Sequence, residues 1–381
     1  MRTKLVSDIR NRIGMPSLSA NYATLYINDE YLGLFILTDI YKESWIEYVY
    51  GEKNTQLLYE CDGCLLDYQY RYAFKNENKE ATNKKELYEF LAEMTKAKSA
   101  SDVETIFDLD QYYKELAVDV LVSSWDHTLH NSYIYKNKEN NKWIYFSHDY
   151  DLDMGIYRDP YMTLYDLTYE SPVIDKLVSD DNPHFREIMK EIVTNVFNPA
   201  TLFPHIDEIK SFIRPYVKLD KTPDENGQYP GRLNEFATDN YTFEQWEDSI
   251  EFEYVNDYIY ALKEFILLKY RMICEEYSFE CDPTYLDENY DKIVNVSSID
   301  VTPNNSKKQV VDKLENKFET SSSLTKNTST VISSLNGNDT INNDIDDDNV
   351  IILDIDVDIP DDVDISNDES ENDDTSKAND D

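Results

Sequence analysis

Asp126 and Asn131 stand five residues apart in SSWDHTLHNSYIYKNKENNKWIYFSHDYDLDMG, and Asp149, Asp151 and Asp153 alternate near its far end. Between them, SYIY and WIYF read as two short strands joined by the polar loop KNKENNK. Closing that hairpin brings Asp126, Asn131 and Asp149 to one end. If DYDLD stays extended, its three aspartates project from one face, because strand side chains repeat every two residues. An amide and several carboxylates grouped in this way suit phosphoryl transfer. One carboxylate orients or takes up the proton of an acceptor hydroxyl, while an amide oxygen and further carboxylates hold the divalent cations that neutralise phosphate charge. Plainer readings compete: a solvated strand end, a simple calcium site, or an Asp-x-x-x-x-Asn that an acidic chain produces by chance. His127 and His130 have metal-pair spacing, but ordinary loop histidines are the commoner case.

The elements that must position these residues are legible around them. DLDQYYKELAVDVLVSSW predicts a helix with Asp108 or Asp110 as N-cap and an apolar face through Tyr112, Leu116 and Val120. It feeds the chain directly into Asp126. Upstream, Leu5, Ile9 and Ile13 recur every four residues in a short amphipathic helix ended by Gly14 and Pro16. NYATLYINDEYLGLFILTDI predicts a hairpin with strands at Tyr22–Ile27 and Leu34–Leu37 and the turn NDEYLG between them. Segments after residue 160 read as helices. The fold class expected is α+β, with a small β-containing front and a larger, mostly helical remainder. The tryptophans at 45, 125, 143 and 246 are most simply core.

Composition sets the limits. The chain has 381 residues, and a formal net charge of −41 argues against a nucleic-acid partner, since phosphate backbones need a basic footprint. Only 8 glycines occur, with no cluster that would make a glycine-rich phosphate loop. No run is long enough to span a membrane, and the first residues carry basic side chains without the apolar core of a signal peptide. Cys61, Cys64, Cys274 and Cys281 allow two disulfides in three connectivities, with pairing left open. A four-thiolate zinc site is disfavoured, because six residues separate the second pair. Glycosylation sequons begin at Asn240, Asn295, Asn304, Asn327 and Asn338, as an Asn-rich sequence produces by chance. From residue 291 the chain turns Ser-, Thr-, Asn- and Asp-rich. Residues 341–381 hold 17 acids against one lysine, which predicts a disordered, self-repelling tail.

Three blocks, YATLYINDEYLGLFILTDIYKESWI, LLYECDG and LVSSWDHTLHNSYIYKNKENNKWIYFSHDYDLDMG, resemble the CotH kinase family, over residues 3 to 280 or so. The order Asp-x-x-x-x-Asn, hairpin, Asp is also that of protein kinases, although Tyr150-Asp151 stands where those have Phe-Gly. The resemblance implies an atypical protein-kinase-like fold over 1–290, with an N-lobe part at about 1–80, a C-lobe at about 81–290 and the tail beyond. It implies ATP and Mg²⁺ or Mn²⁺ (or Ca²⁺) as cofactors and a secreted or cell-surface protein as substrate. Asp126 becomes the catalytic Asp, Asn131, Asp149 and Asp151 metal ligands, and Asp39 a cofactor-side carboxylate where the family usually has Glu. Glu60 stands where Lys is common, with Lys42 and Lys53 as nearby cations. The family's basic strand upstream is not in this sequence, so the N-lobe is expected to be incomplete. An adhesin or binding module, and a calcium-holding structural protein, are the competing functions.

Overall fold

The computed structural model describes residues 1–124, 126–127, 129–230, 241–252, 259–291 and 351–355. In chain order, the front half runs α1 (Arg2–Arg12), β1 (Ala20–Ile27), β2 (Glu30–Thr38), α2 (Glu43–Tyr50), β3 (Leu58–Cys61), β4 (Lys75–Asn76) and α3 (Lys85–Lys96). Then come α4 (Leu109–Val122), β5 (Ser132–Lys136) and β6 (Trp143–Ser147). The helical remainder is α5 (Leu164–Glu170), α6 (Pro172–Leu177), α7 (Pro183–Asn195), α8 (Pro199–Asp220), α9 (Phe243–Asp248), α10 (Leu262–Glu276) and α11 (Pro283–Leu286), with β7 at Ile351–Ile355. The α+β class expected is what is found. Trp45 and Trp143 are buried, Trp246 packs against the core, and Trp125 and the asparagines of all five sequons lie outside the described residues.

A four-stranded sheet ordered β4-β3-β5-β6 carries the site, with each neighbouring pair antiparallel. Its two faces are divided by strand alternation. Leu58, Tyr133, Tyr135, Ile144 and Phe146 pack with Tyr41, Trp45 and Ile46 at and beside α2. Tyr59, Ile134, Trp143 and Tyr145 face the larger core of α3 and α4. Burial on both sides makes β5 and β6 a rigid mount. Asp108 caps α4 as expected, its side chain accepting the Gln111 N–H at 3.2 Å.

The first hairpin is longer than its sequence suggested. Asn28 and Asp29 both take positive φ, 52° and 64°, so a two-residue turn replaces the six-residue one and β2 starts at Glu30. A register shift between Leu25 and Tyr26 absorbs the difference.

The acidic tail departs from expectation too. Within a segment expected to be wholly disordered, β7 pairs in parallel with β1, from Ala23–Ile351 to Ile27–Ile355. Ile, Leu and Val runs favour strand, and an edge strand presents a row of unpaired backbone groups to such a partner. The rest of 292–381 lies outside the described residues.

Candidate functional site

Ser123 ends α4 in the left-handed region (φ 50°) and redirects the chain toward Asp126. The Asp126 carbonyl accepts the N–H groups of Leu129 at 3.2 Å and His130 at 3.0 Å, closing a tight turn. Its side-chain Oδ1 accepts Nδ2 of Asn131 at 2.9 Å. Asn131 is itself left-handed (φ 57°), and its carbonyl accepts the His148 N–H at 3.0 Å. That bond lies one step beyond the Ser132–Ser147 pair of the β5–β6 register. Asp126, Asn131 and the His148-Asp149 peptide therefore meet at one end of the hairpin, as the spacing predicts.

The DYDLD segment does not stay extended. Asp149 takes φ 68° and residues 151–156 form successive turns, so the three aspartates do not share one face. Asp149 and Asp151 are exposed and close to one another. Partial burial, then the Asp149 carboxylate, push the Asp151 carboxyl above its ordinary value. Asp153 turns inward, 1 % exposed, and lies 3.9 Å from His127 Nε2.

His127 is no metal ligand here. Its Nδ1 lies 2.9 Å from Asp119 Oδ1 on α4, and Nε2 lies 3.1 Å from the Asp149 carbonyl. Burial works against its charge, but Asp119, then Asp153 and the Asp149 carbonyl, outweigh burial and raise its pKa to about 10. The buried imidazolium thus ties the Asp126 loop to the Asp149 turn. His130 points elsewhere, its Nδ1 2.7 Å from Asp62 Oδ1. His148 is neutral, since burial and the His127 charge lower its pKa to about 4.

A second tether comes from α1. Arg10 is 2 % exposed and reaches Glu115 of α4 with Nη1 at 2.5 Å and Nη2 at 2.8 Å. Nη1 also donates to Ser147 Oγ at 3.3 Å and to the Tyr150 hydroxyl, so one guanidinium grips both flanks of His148-Asp149. Glu115 accepts further bonds from Gln111 Nε2 at 2.9 Å and Ser147 Oγ at 2.7 Å. Burial pushes the Glu115 carboxyl up, opposed by Arg10. The Arg10 pKa rises because Glu115 and the neighbouring tyrosines outweigh its own burial. Sequence reasoning missed this network. Its one signal was Glu115 and Asp119 spaced four apart within the apolar face of α4.

The other expected residues are placed differently. Asp39 lies exposed just past β2, where its Oδ1 accepts the Ile40 N–H at 2.8 Å and its N–H donates to the Ser19 carbonyl at 3.3 Å. None of its described hydrogen bonds reaches Asp126, Asn131 or Asp149. Lys42 pairs with Glu77, and Lys53 with Glu47 at 3.1 Å. Lys75, opposite Glu60 across β3 and β4, lies 3.5 Å from it. The cysteines pair as Cys61–Cys64 and Cys274–Cys281, which removes the four-thiolate reading. Among the described residues no group of three or more His, Cys, Asp or Glu is gathered for a metal. Two carboxylates and an amide remain, a set that suits Mg²⁺ when water and phosphate complete its shell.

Residues 1–266 match the family described as CotH kinase protein. The chain belongs to this family. CotH-family relatives in Rhizopus delemar include Spore coat protein homolog 1, 26 % identical over 277 residues covering 66 % of this chain and 44 % of the relative. Invasin CotH7 is 27 % identical over 58 % of this chain and 42 % of its own length, and Invasin CotH3 25 % over 65 % and 46 %. The chain thus spans less than half the length of these CotH relatives. No described helix is long and apolar enough to cross a membrane.

Proposed function

We propose that this CotH-family chain is a metal-dependent protein kinase that transfers the ATP γ-phosphate to a Ser, Thr or Tyr hydroxyl of a secreted or cell-surface protein. The observation that carries the reading is the Asp126–Asn131 pair held across a rigid hairpin end from Asp149 and Asp151. In this reading Asp126 takes up or orients the proton of the acceptor hydroxyl, and its hydrogen bond to Asn131 keeps the carboxylate aimed. With Nδ2 committed to Asp126, Oδ1 of Asn131 is the atom left for a cation, alongside Asp149 and Asp151. Burial and then the Asp149 carboxylate disfavour charge on Asp151, and a bound cation would offset both. Mg²⁺ or Mn²⁺ would supply the positive charge that offsets the transferring phosphoryl group. Two short-range disulfides fit an oxidising compartment, and relatives named as spore coat protein and invasins support a surface or secreted location.

A thermal-shift titration with ATP, with and without Mg²⁺ or Mn²⁺, tests the nucleotide site, because a ligand binding only the folded state raises its stability. Wild type is expected to gain stability only with nucleotide and metal together, and Asp149→Asn to lose that gain. Asn is the informative replacement, since it tolerates the left-handed backbone at 149. Phosphate incorporation should vanish in Asp126→Asn. No shift at millimolar ATP would refute the nucleotide site.

A binding role is the second reading, favoured by exposed Tyr157, Tyr161, Tyr165 and Tyr169 at four-residue intervals beyond the Asp149 turn and by the relatives' name of invasin. Asp126→Asn should leave attachment intact while ending transfer.

A further inference from the structure

The four residues Cys61-Asp62-Gly63-Cys64 sit where β3 ends, against the loop that carries Asp126 and Asn131. Cys61 pairs with Ser132 in the β3–β5 register, and its carbonyl accepts Ser132 Oγ at 3.4 Å. Gly63 (φ 69°) turns the chain back toward His130, where a Cβ would stand 4.0 Å from the ring, at ordinary contact distance. Asp62 Oδ1 then meets His130 Nδ1 at 2.7 Å, and the Cys64 N–H donates to the Leu129 carbonyl at 2.9 Å. These contacts hold residues 129, 130 and 132, the positions on both sides of Asn131. Leu129 and His130 are also the two residues whose N–H groups bond the Asp126 carbonyl.

A disulfide closing so short a ring removes little entropy from the unfolded chain. Its main effect is local: it keeps the 61–64 turn closed, with Asp62 and the Cys64 N–H aimed at the loop. Both half-cystines are 2 % exposed, while Asp62 and Gly63 between them face solvent. The two half-cystines line a cavity of about 20 Å³ with Asp119, His127, Ser132 and Tyr145, room for about one water. Both sulfurs pack in the main core cluster, while the Asp62-Gly63 side of the turn faces solvent and the cavity leaves slack on the other, so a reductant reaches the bond as the turn opens outward.

We propose that Cys61–Cys64 is a thiol–disulfide exchange site whose redox state sets the order of residues 129–131. Oxidised, the turn clamps Leu129 and His130 and so fixes Asp126 and Asn131. The reductant is a dithiol. Its thiolate attacks one cystine sulfur, the S–S bond breaks, and a mixed disulfide forms. The second thiol of the reductant then displaces the remaining sulfur. Two electrons pass to the protein, Cys61 and Cys64 take up protons as thiols, and the dithiol leaves as a disulfide. The freed turn relaxes, and the loop loses its outer clamp. The proposal does not depend on phosphoryl transfer, because its readout is the loop itself.

Hydrogen exchange on the full chain, before and after dithiothreitol with alkylation to count reduced thiols, tests it. A Cys274→Ser/Cys281→Ser variant isolates the site, and Cys61→Ser/Cys64→Ser mimics permanent reduction. Expected is at least tenfold faster exchange at the Leu129 and His130 amides in the reduced protein and in the Cys61→Ser/Cys64→Ser variant, with core strands unchanged. The Cys274→Ser/Cys281→Ser variant, left oxidised, should match wild type at these amides. Unchanged loop amides after confirmed reduction would overturn the proposal. So would an equal rise across all peptides, which makes the bond a structural staple, or failure of dithiothreitol to reduce it in the folded chain.

Discussion

Replacing Arg10 by Met tests how far the site depends on a helix more than a hundred residues away in sequence. The change removes one guanidinium that donates to both Glu115 oxygens, Ser147 Oγ and the Tyr150 hydroxyl, and leaves a carboxylate that is 0 % exposed. Removing one partner of a buried ion pair costs about 3–5 kcal/mol, chiefly because the other charge stays desolvated. For a domain of roughly 290 residues, with an unfolding entropy of about 0.6 kcal/mol/K, Tm should fall by roughly 5–8 °C. The loss should shrink in acid. Without Arg10, burial, the largest influence, and Asp119 raise the Glu115 pKa against the smaller opposing pull of the Ser147 hydrogen bond. A carboxyl with a raised folded-state pKa imposes no penalty once the unfolded chain is also protonated, and a growing penalty above that. Urea unfolding at pH 4.5 and pH 7 should therefore show a smaller wild-type-to-variant gap at the lower pH. The double variant Arg10→Met/Glu115→Leu should recover part of the loss, since no buried charge remains. Hydrogen exchange at His148–Asp151 should quicken in the single variant. A cost under about 1 kcal/mol, far below that of a broken buried pair, would refute the reasoning, as would a double variant less stable than the single.

Three further outcomes follow from other parts of the structure. Lys269 is fully buried, donates from Nζ to the Met162 carbonyl at 2.7 Å, and burial lowers its pKa to about 7. Between about pH 7 and 10.5 the unfolded chain binds more protons there, so stability rises with pH; Lys269→Met should remove that slope in urea titrations. At Asp149 (φ 68°), Ala should be less stable than Asn by about 1 kcal/mol in denaturant melts, because a β-carbon without a polar tip is strained in the left-handed region. Ending the chain at residue 291 removes β7 and leaves the β1 edge unpaired. Light scattering should then detect self-association that the full chain lacks, and equal behaviour would deny β7 a protective role.

The sequence by itself determined the hairpin and what it carries. Strand alternation in SYIY and WIYF, the Asp108 cap and the α4 periodicity are local signals, and each acts within a few residues. They were enough to bring Asp126, Asn131 and Asp149 to one end of β5–β6. Tertiary structure decided what holds them there. Arg10 meets Glu115 only because the fold brings α1 within side-chain reach of α4 and the end of β6, and no local pattern records which buried base finds which buried acid. Asp153 went inward, and Asp151 stayed outside beside Asp149, because residues 151–156 turn and the imidazolium of His127 draws one acid into the core. The cysteine pairing was equally closed to spacing, since disulfide formation depends on where the sulfurs arrive. Long-range electrostatics and packing choose among local options that the chain leaves equal, and here they chose the tethers that hold Asp126 and Asp149 in place.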